Sequence, residues 1–335
     1  MAGQLFSVNS LGGYLASFNL SKELRMGVQA TSKFRQFADV KDAFGKVQKA
    51  GQTFTWDAVP MMTRASRALT ETNTIGQGNM TVLQATLTMN ERGHSVPYTE
   101  LLESLAMTSV RQPIMKVLKY DAMVDLDCLV HQQFNLTPLR VVSTSSADTA
   151  FTLTTNSTAT ATNTVLISKV NVRAITDGMK GRNIPYYTEG SYYAIARPAG
   201  LRLLKTDMES IQQYTETGFA MIKNGEIGRY GECRFVEQTA IPAGGAADST
   251  SFDPFTDMGD AWGDGTKGDW VFFFGADTVC EAVHTEEEIR AKIPDDYGRS
   301  KGVAWYALLG YGITHGGSAM ATPAQARIVK FDSAV

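Results

Sequence analysis

The chain has 335 residues, 43% hydrophobic and 19% charged, with a formal net charge of -3. This composition supports a sizeable folded core and excludes an intrinsically disordered chain. The slightly acidic balance excludes a cationic surface built to grip nucleic acid or an anionic membrane. Three isolated cysteines, Cys128, Cys233 and Cys280, exclude a disulfide framework and are expected as small buried hydrophobes in a reducing compartment.

Residues 1–30 mix apolar and polar side chains without a sustained period, apart from a short helical candidate that Ser21 can cap ahead of Lys22, Glu23 and Leu24. The first 20 carry no cation and are interrupted by Asn9, Gly12 and Gly13, so no export signal is expected. This stretch cannot build its own core. Over 52–59 the sequence alternates, with Phe54 and Trp56 opposite Thr53, Thr55 and Asp57, which predicts a half-buried strand ended by Pro60. A second alternating run over 81–89 sets Leu83, Ala85, Leu87 and Met89 on one face, with Val82, Gln84, Thr86 and Thr88 on the other. The polar, glycine-bearing ETNTIGQGN between them lets the two strands pair as a long two-stranded loop. An isolated strand pair is marginally stable in water, so a projecting hairpin needs a partner for its apolar face and open edges.

Thr99 is placed to cap a short helix whose Glu100 and Glu103 complement its N-terminal dipole. Pro113 is tolerated in a first helical turn and predicts the start of a longer helix. Ile114, Leu118, Ala122, Leu126, Val130 and Phe134 step by four, with Val117 and Leu129 beside them. One apolar stripe therefore runs about six turns over roughly 30 Å. Ser and Thr dominate 143–164, where Phe151 and Leu153 alternate with threonines and predict an exposed β-hairpin. Beyond it the pattern turns mixed α/β. Ser168 caps a helix to Met179, 192–196 is a strand, helix returns after Pro198, and 267–274, 302–314 and 326–331 are strands. The most apolar late windows, 270–276 and 303–313, fall short of the roughly 18 residues a membrane span needs.

Motifs for catalysis are missing. His94, His131, His284 and His315 are far apart in sequence, with no HExxH pair and no cysteine at zinc spacing. There is no GxSxG elbow, and Gly45-Lys46 is followed by Val47 where a P-loop offers a hydroxyl to magnesium. Gly225, Gly228 and Gly231 are spaced by three and do not match the dinucleotide fingerprint. Asp257, Asp260 and Asp264, in the Asp/Gly-rich stretch 244–268, miss the spacing of an EF-hand and read as a solvated loop. His284 with Glu286, Glu287 and Glu288 reads as a solvated helix start, because adjacent carboxylates on a helix do not converge. No catalytic residue, cofactor or metal ligand is assigned.

The order of parts, an arm, a long two-stranded loop, a long helix, a mixed body and a final strand, resembles the HK97-like fold of tailed-bacteriophage major capsid proteins. Within that group the chain most resembles a podovirus-type coat protein family. The stretches carrying the resemblance are LSKELRMGVQATSKFRQFADV, HSVPYTELLESL with the helix after it, SYYAIARPAGLRLLKTD and, most specifically, GEIGRYGECRFVEQ. The resemblance covers nearly the whole chain, from about Leu20 to Phe331.

The resemblance implies an α+β fold divided into an N-terminal arm at 1–35, an extended loop region at 36–98 and a spine helix with peripheral domain at 99–165. An axial domain would follow at 166–315, with a C-terminal strand at 316–335 returning to the peripheral domain. It implies a non-enzymatic shell subunit without cofactors, assembling in the host bacterial cytoplasm into the hexamers and pentamers of an icosahedral virion. The partners implied are further copies of the chain, a portal, a scaffolding protein, a decoration protein and packaged double-stranded DNA held without sequence-specific binding. No membrane is implied, and no large prodomain.

A subunit that passes its loop to the next makes a heterologous contact, which closes into rings when the rotation permits. Pairing strands across subunits would satisfy the loop's exposed backbone. Phe54 and Trp56 are expected to anchor the loop on a neighbour, since large aromatics contribute heavily at interface centres; the alternative is that both fold back on their own subunit. Arg64, Arg67, Glu91 and Arg92 flank the loop and are expected to pair across subunits. Exposed pairs contribute only about 0–1 kcal/mol each, so their role would be to set register. Two other readings stay open: an encapsulin-like compartment, which shares the resemblance, and a soluble cytoplasmic hydrolase with a dispersed site.

Overall fold

Period-2 runs become strands and the four-residue stripe becomes a helix. The computed structural model describes residues 34–42, 53–60, 62, 66, 68–71, 74–80, 82–106, 109–143, 151–155, 165–188, 190–212, 229–238, 269–315 and 325–333. The chain enters through a 3-10 turn at Arg35–Phe37 and strand β1 at Asp39–Asp42. Strands β2 (Thr53–Ala58) and β3 (Leu83–Thr88) pair antiparallel, Thr53 opposite Thr88 and Ala58 opposite Leu83. Ala85, Leu87 and Met89 are buried while Gln84, Thr86 and Thr88 are exposed, as the alternation predicts.

Strand β4 (Asn90–Thr99) leads into helix α1 (Glu100–Leu105), where the Thr99 Oγ1 accepts a hydrogen bond from the Leu102 N–H at 3.3 Å. Helix α2 (Arg111–Asn135) has 25 residues and is about 37 Å long. It starts two residues before Pro113. The first N–H groups of a helix have no intrahelical acceptor, so a proline at the third position removes no hydrogen bond. The stripe of Leu118, Ala122, Leu126, Val130 and Phe134 is buried as expected, with Ile114 and Leu129 partly buried beside it. Val117, expected beside that stripe, is instead exposed.

The remaining elements are β5 (Leu139–Ser143), β6 (Phe151–Thr154), α3 (Lys169–Gly181), β7 (Tyr192–Ala196), α4 (Arg202–Gln212), β8 (Arg229–Tyr230) and β9 (Cys233–Glu237). They are followed by β10 (Asp269–Phe274), β11 (Val279–Ala291), β12 (Ser300–Ile313) and β13 (Ile328–Ser333). Ser168 caps α3 through its Oγ and the Asn171 N–H at 3.5 Å. Gly231 and Glu232 take left-handed φ values of 56° and 63° and turn the chain from β8 into β9, which accounts for a glycine at that point of GRYGECRF.

Two larger sheets form around these strands. One has the order β1-β11-β12-β4, and α2 packs across β4, β11 and β12. The other has the order β6-β5-β13-β10-β7-β9-β8. Strand β10 is buried on both faces: Phe272 and Phe274 enter the core shared with α2, while Val271 and Phe273 pack with α3 and α4. Within 166–315, β7, β9 and β10 belong to the seven-stranded sheet, whereas β11 and β12 pair beside β4. The final strand β13 lies between β10 and β5, where Val329 and Phe331 join the α3 and α4 core.

Residues 284–288, read as a helix start, lie within β11. Cross-strand pairing to β12 overrides the local preference, with register shifts between Val283 and Thr285 and between Thr285 and Glu288. Within the Ser/Thr-rich stretch read as an exposed hairpin, β6 pairs with β5, a strand that precedes the stretch except for Ser143; β5 is largely buried, and Leu153 of β6 is exposed. Residues 144–150 and 156–164, the Ser21 helix candidate and the stretch 244–268 lie outside the described residues.

Candidate subunit interface

The hairpin β2-β3 is seated on the four-stranded sheet of its own chain. The Trp56 Nε1 donates to the Thr314 carbonyl at 3.3 Å, and the ring centroids of Phe54 and Trp56 lie 6.4 Å apart. Both rings pack with Leu87, Met89, Cys280, Ala282 and Leu308. Two glycines of β12 make room for this seat. A Cβ on Gly310 would lie 2.6 Å from the Thr88 carbonyl oxygen, and one on Gly312 would lie 3.0 Å from the Trp56 ring. Phe54 and Trp56 therefore fix the stem of the hairpin. Beyond it Val59, Met62, Leu69, Ile75, Met80 and Val82 are large apolar side chains left exposed, Ile75 by 73%.

At the hairpin's base, Glu91 accepts a hydrogen bond from the Tyr306 hydroxyl at 3.1 Å, and Arg92 faces Asp125 of α2 at 3.7 Å. His94 lies 3.0 Å from Asp121, whose Oδ2 also accepts from the Trp305 Nε1 at 2.7 Å. Burial raises the pKa of Asp125, partly offset by Arg92. Glu91 and Arg92 thus already have partners within the chain; Arg64 and Arg67 lie outside the described residues.

A second apolar surface had no counterpart among the sequence expectations. The turn between β11 and β12 leaves Ile293 87% exposed and Tyr297 fully exposed. Asp296, Tyr297 and Gly298 have φ values of 51°, 54° and 90°, a left-handed run that holds the tyrosine out of the fold. The signal was present as Pro294-Asp295-Asp296-Tyr297-Gly298, turn chemistry between two strand runs.

The start of the described chain is locked into the body. Phe34 is fully buried, edge-on to Phe134 at 5.4 Å and to Phe272 at 6.0 Å. The Arg35 N–H donates to Asp127 at 2.9 Å, and its guanidinium reaches both Glu281, also at 2.9 Å, and Glu287. Tyr311 donates to the same buried Glu281 at 3.0 Å. Burial disfavours the charge on Arg35, yet its hydrogen bonds to Glu287 and Glu281 outweigh that and raise its pKa. The hydrogen bond from Arg35 in turn lowers the pKa of Glu287. One of the three glutamates read as solvated is therefore an anchor.

Among the described residues, no three His, Cys, Asp or Glu side chains are grouped to hold a metal ion. No described helix is long and apolar enough to cross a membrane. An open cleft lined by Tyr186, Tyr187, Thr188, Gly190 and Arg234 offers aromatic rings and a guanidinium but no nucleophile with a base beside it. The three cysteines are buried, and burial raises the pKa of Cys128 and of Cys233.

No protein-family model matches the chain, and no curated protein matches it. Solved structures do. The capsid of Ralstonia phage GP4 is 14% identical with a TM-score of 0.63, over 100% of this chain and 98% of that one. The head structure of Helicobacter pylori bacteriophage KHP40 is 14% identical with a TM-score of 0.66, over 95% of each chain. The capsid structure of cyanophage P-SCSP1u is 10% identical with a TM-score of 0.63, over 94% of this chain and 92% of that one. The chain has the fold of these tailed-phage capsid proteins, the α+β, HK97-like architecture that its sequence resembles.

Proposed function

We propose that this chain is the major capsid protein of a tailed bacteriophage, a non-enzymatic subunit that assembles into the hexamers and pentamers of an icosahedral shell around double-stranded DNA. The observation that carries this reading is the two-way, nearly end-to-end match with phage capsid chains. The surfaces support it. A lone globular chain rarely leaves large apolar side chains clustered in water, yet here they stand exposed along the hairpin beyond Phe54 and Trp56, on α1 and α2, and at Ile293 and Tyr297. Phe54 and Trp56 act in assembly by aiming the hairpin, whose outer residues meet the neighbour, and Arg64, Arg67, Glu91 and Arg92 are the residues proposed to pair across subunits. Portal, scaffolding and decoration proteins are the further partners, with assembly in the bacterial cytoplasm and final location in the virion. The net charge of -3 suits a container that releases its DNA.

The test is negative-stain microscopy and sedimentation of the chain produced in bacteria. Closed shells of uniform diameter are expected; a monomer or small oligomer sinks the reading. Shells holding cargo protein in place of DNA in the native particle would point to a protein compartment. Tyr297→Ser is expected to lower shell yield several-fold while leaving the unfolding midpoint of the subunit unchanged.

A further inference from the structure

Helix α2 is covered unequally along one line. Positions 120, 124, 127 and 131 share a face by heptad spacing. Toward the C-terminal end that face is closed: Asp127 is 1% exposed, bonded by the Arg35 N–H and by Gln238, and His131 lies under Phe34 at 5.3 Å. Toward the N-terminal end the same face is open, with Val117 47% exposed and Tyr120 and Met123 bare beside it. Lys116 and Lys119 are exposed alongside them. A bare apolar stripe edged with ammonium groups is a surface for an apolar segment of opposite charge.

Helix α1 has that chemistry. Leu101 and Leu105, one turn apart on one face, are 55% and 52% exposed. Glu100 and Glu103 both contact the Lys301 ammonium, two carboxylates against one cation, so this helix remains net negative. Placing α2 against a second α2 would set lysine against lysine, and α1 against α1 would set glutamate against glutamate. Only the unlike pairing matches charge and buries both apolar faces.

We infer that α1 of one copy of this chain docks on the N-terminal half of α2 of the next copy, Leu101 and Leu105 lying over Val117, Tyr120 and Met123. The inference rests on the shell reading above and names a contact within it. The two patches are different surfaces of one chain, so the contact is heterologous and propagates around a ring. Leucines four apart meeting side chains three apart give the ridge-and-groove match of helices that cross at a shallow angle. The lysines confer direction and the apolar groups confer adhesion.

The experiment uses two single variants, Leu101→Cys and Met123→Cys, produced together in one cell so that they co-assemble. Mild oxidation of the purified shells, followed by a non-reducing denaturing gel, reads the contact. The native thiols are buried, so background is low. The inference expects a strong dimer band from mixed shells and none from shells of either variant alone. Mixed shells that yield only monomer overturn it, as does a dimer from Met123→Cys alone, which would place two α2 helices face to face. A wild-type chain that forms no shell overturns the shell reading and this contact with it. As a second measure, Lys116→Glu with Lys119→Glu is expected to reduce shell yield at least tenfold with the subunit's circular dichroism unchanged; normal yield would count against the charge match.

Discussion

The Trp56 indole N–H meets the Thr314 carbonyl across 258 residues of sequence, at 3.3 Å. That bond ties the hairpin stem to the end of β12 and makes the hairpin's direction a property of the single chain. Trp56→Ala is expected to destabilise the subunit by about 1–3 kcal/mol, below the 3–5 kcal/mol of a fully buried tryptophan because half-burial leaves less to lose. Amide exchange over Thr53–Ala58 should accelerate strongly, while that of β13 stays as it was. Unchanged exchange in the hairpin would refute the seating.

Gly310 tests the same seat from beneath. Its missing Cβ would stand 2.6 Å from the Thr88 carbonyl oxygen and 2.7 Å from Leu87. Gly310→Ala should cost about 1–3 kcal/mol by overpacking. Chemical denaturation measures the loss, and exchange over Leu83–Thr88 reports whether the strand has lifted.

Arg35 neutralises a carboxylate that is 1% exposed. Arg35→Ala leaves Glu281 accepting from the Tyr311 hydroxyl without its guanidinium and should cost about 2–4 kcal/mol, somewhat under the loss on breaking a fully buried pair because Arg35 is itself partly exposed. Arg35→Lys is expected to recover only part of this, since an ammonium lacks the planar fork that spans two carboxylates. Urea unfolding midpoints decide; an unchanged midpoint for Arg35→Ala would show that the anchor contributes nothing.

Acid should weaken the subunit through His131. Burial, with help from the nearby Lys330 charge, pushes its pKa down to about 4. The unfolded chain takes up that proton near pH 6.5, so stability is fully present above about pH 6.5 and falls as pH drops toward about 4, by on the order of 3 kcal/mol. Glu287 acts in the same sense at lower pH, because its depressed pKa gives stability present above the unfolded value and lost as pH falls through the folded one. His131→Phe should flatten the stability curve between pH 6.5 and 4. Parallel curves for the two proteins would show that His131 is not the cause.

Much of the fold was legible because its signals are local. Alternation placed β2 and β3, hydroxyl caps placed α1 and α3, and the four-residue stripe placed α2. What escaped depends on partners distant in sequence. Glu287 looks solvated beside Glu286 and Glu288 until Arg35, 252 residues earlier, is brought to it. The interface candidates were read from charge and aromaticity, and those properties do not reveal that Trp56 finds its partner in Thr314 while Val117, Tyr120 and Met123 stay exposed among the described residues.

Strand β1 has a bearing on when a subunit becomes competent. It pairs in parallel with β11, Asp39 opposite Cys280, and the hairpin stem rests on residues from Cys280 to Thr314. A ribosome that has made β1 must add some 240 more residues before its partner exists, roughly 12–50 s at about 5–20 residues per second. Through that interval β1 has no partner strand and the hairpin has no seat. Completion of β11 and β12 therefore works as a clock that sets when the hairpin acquires its direction.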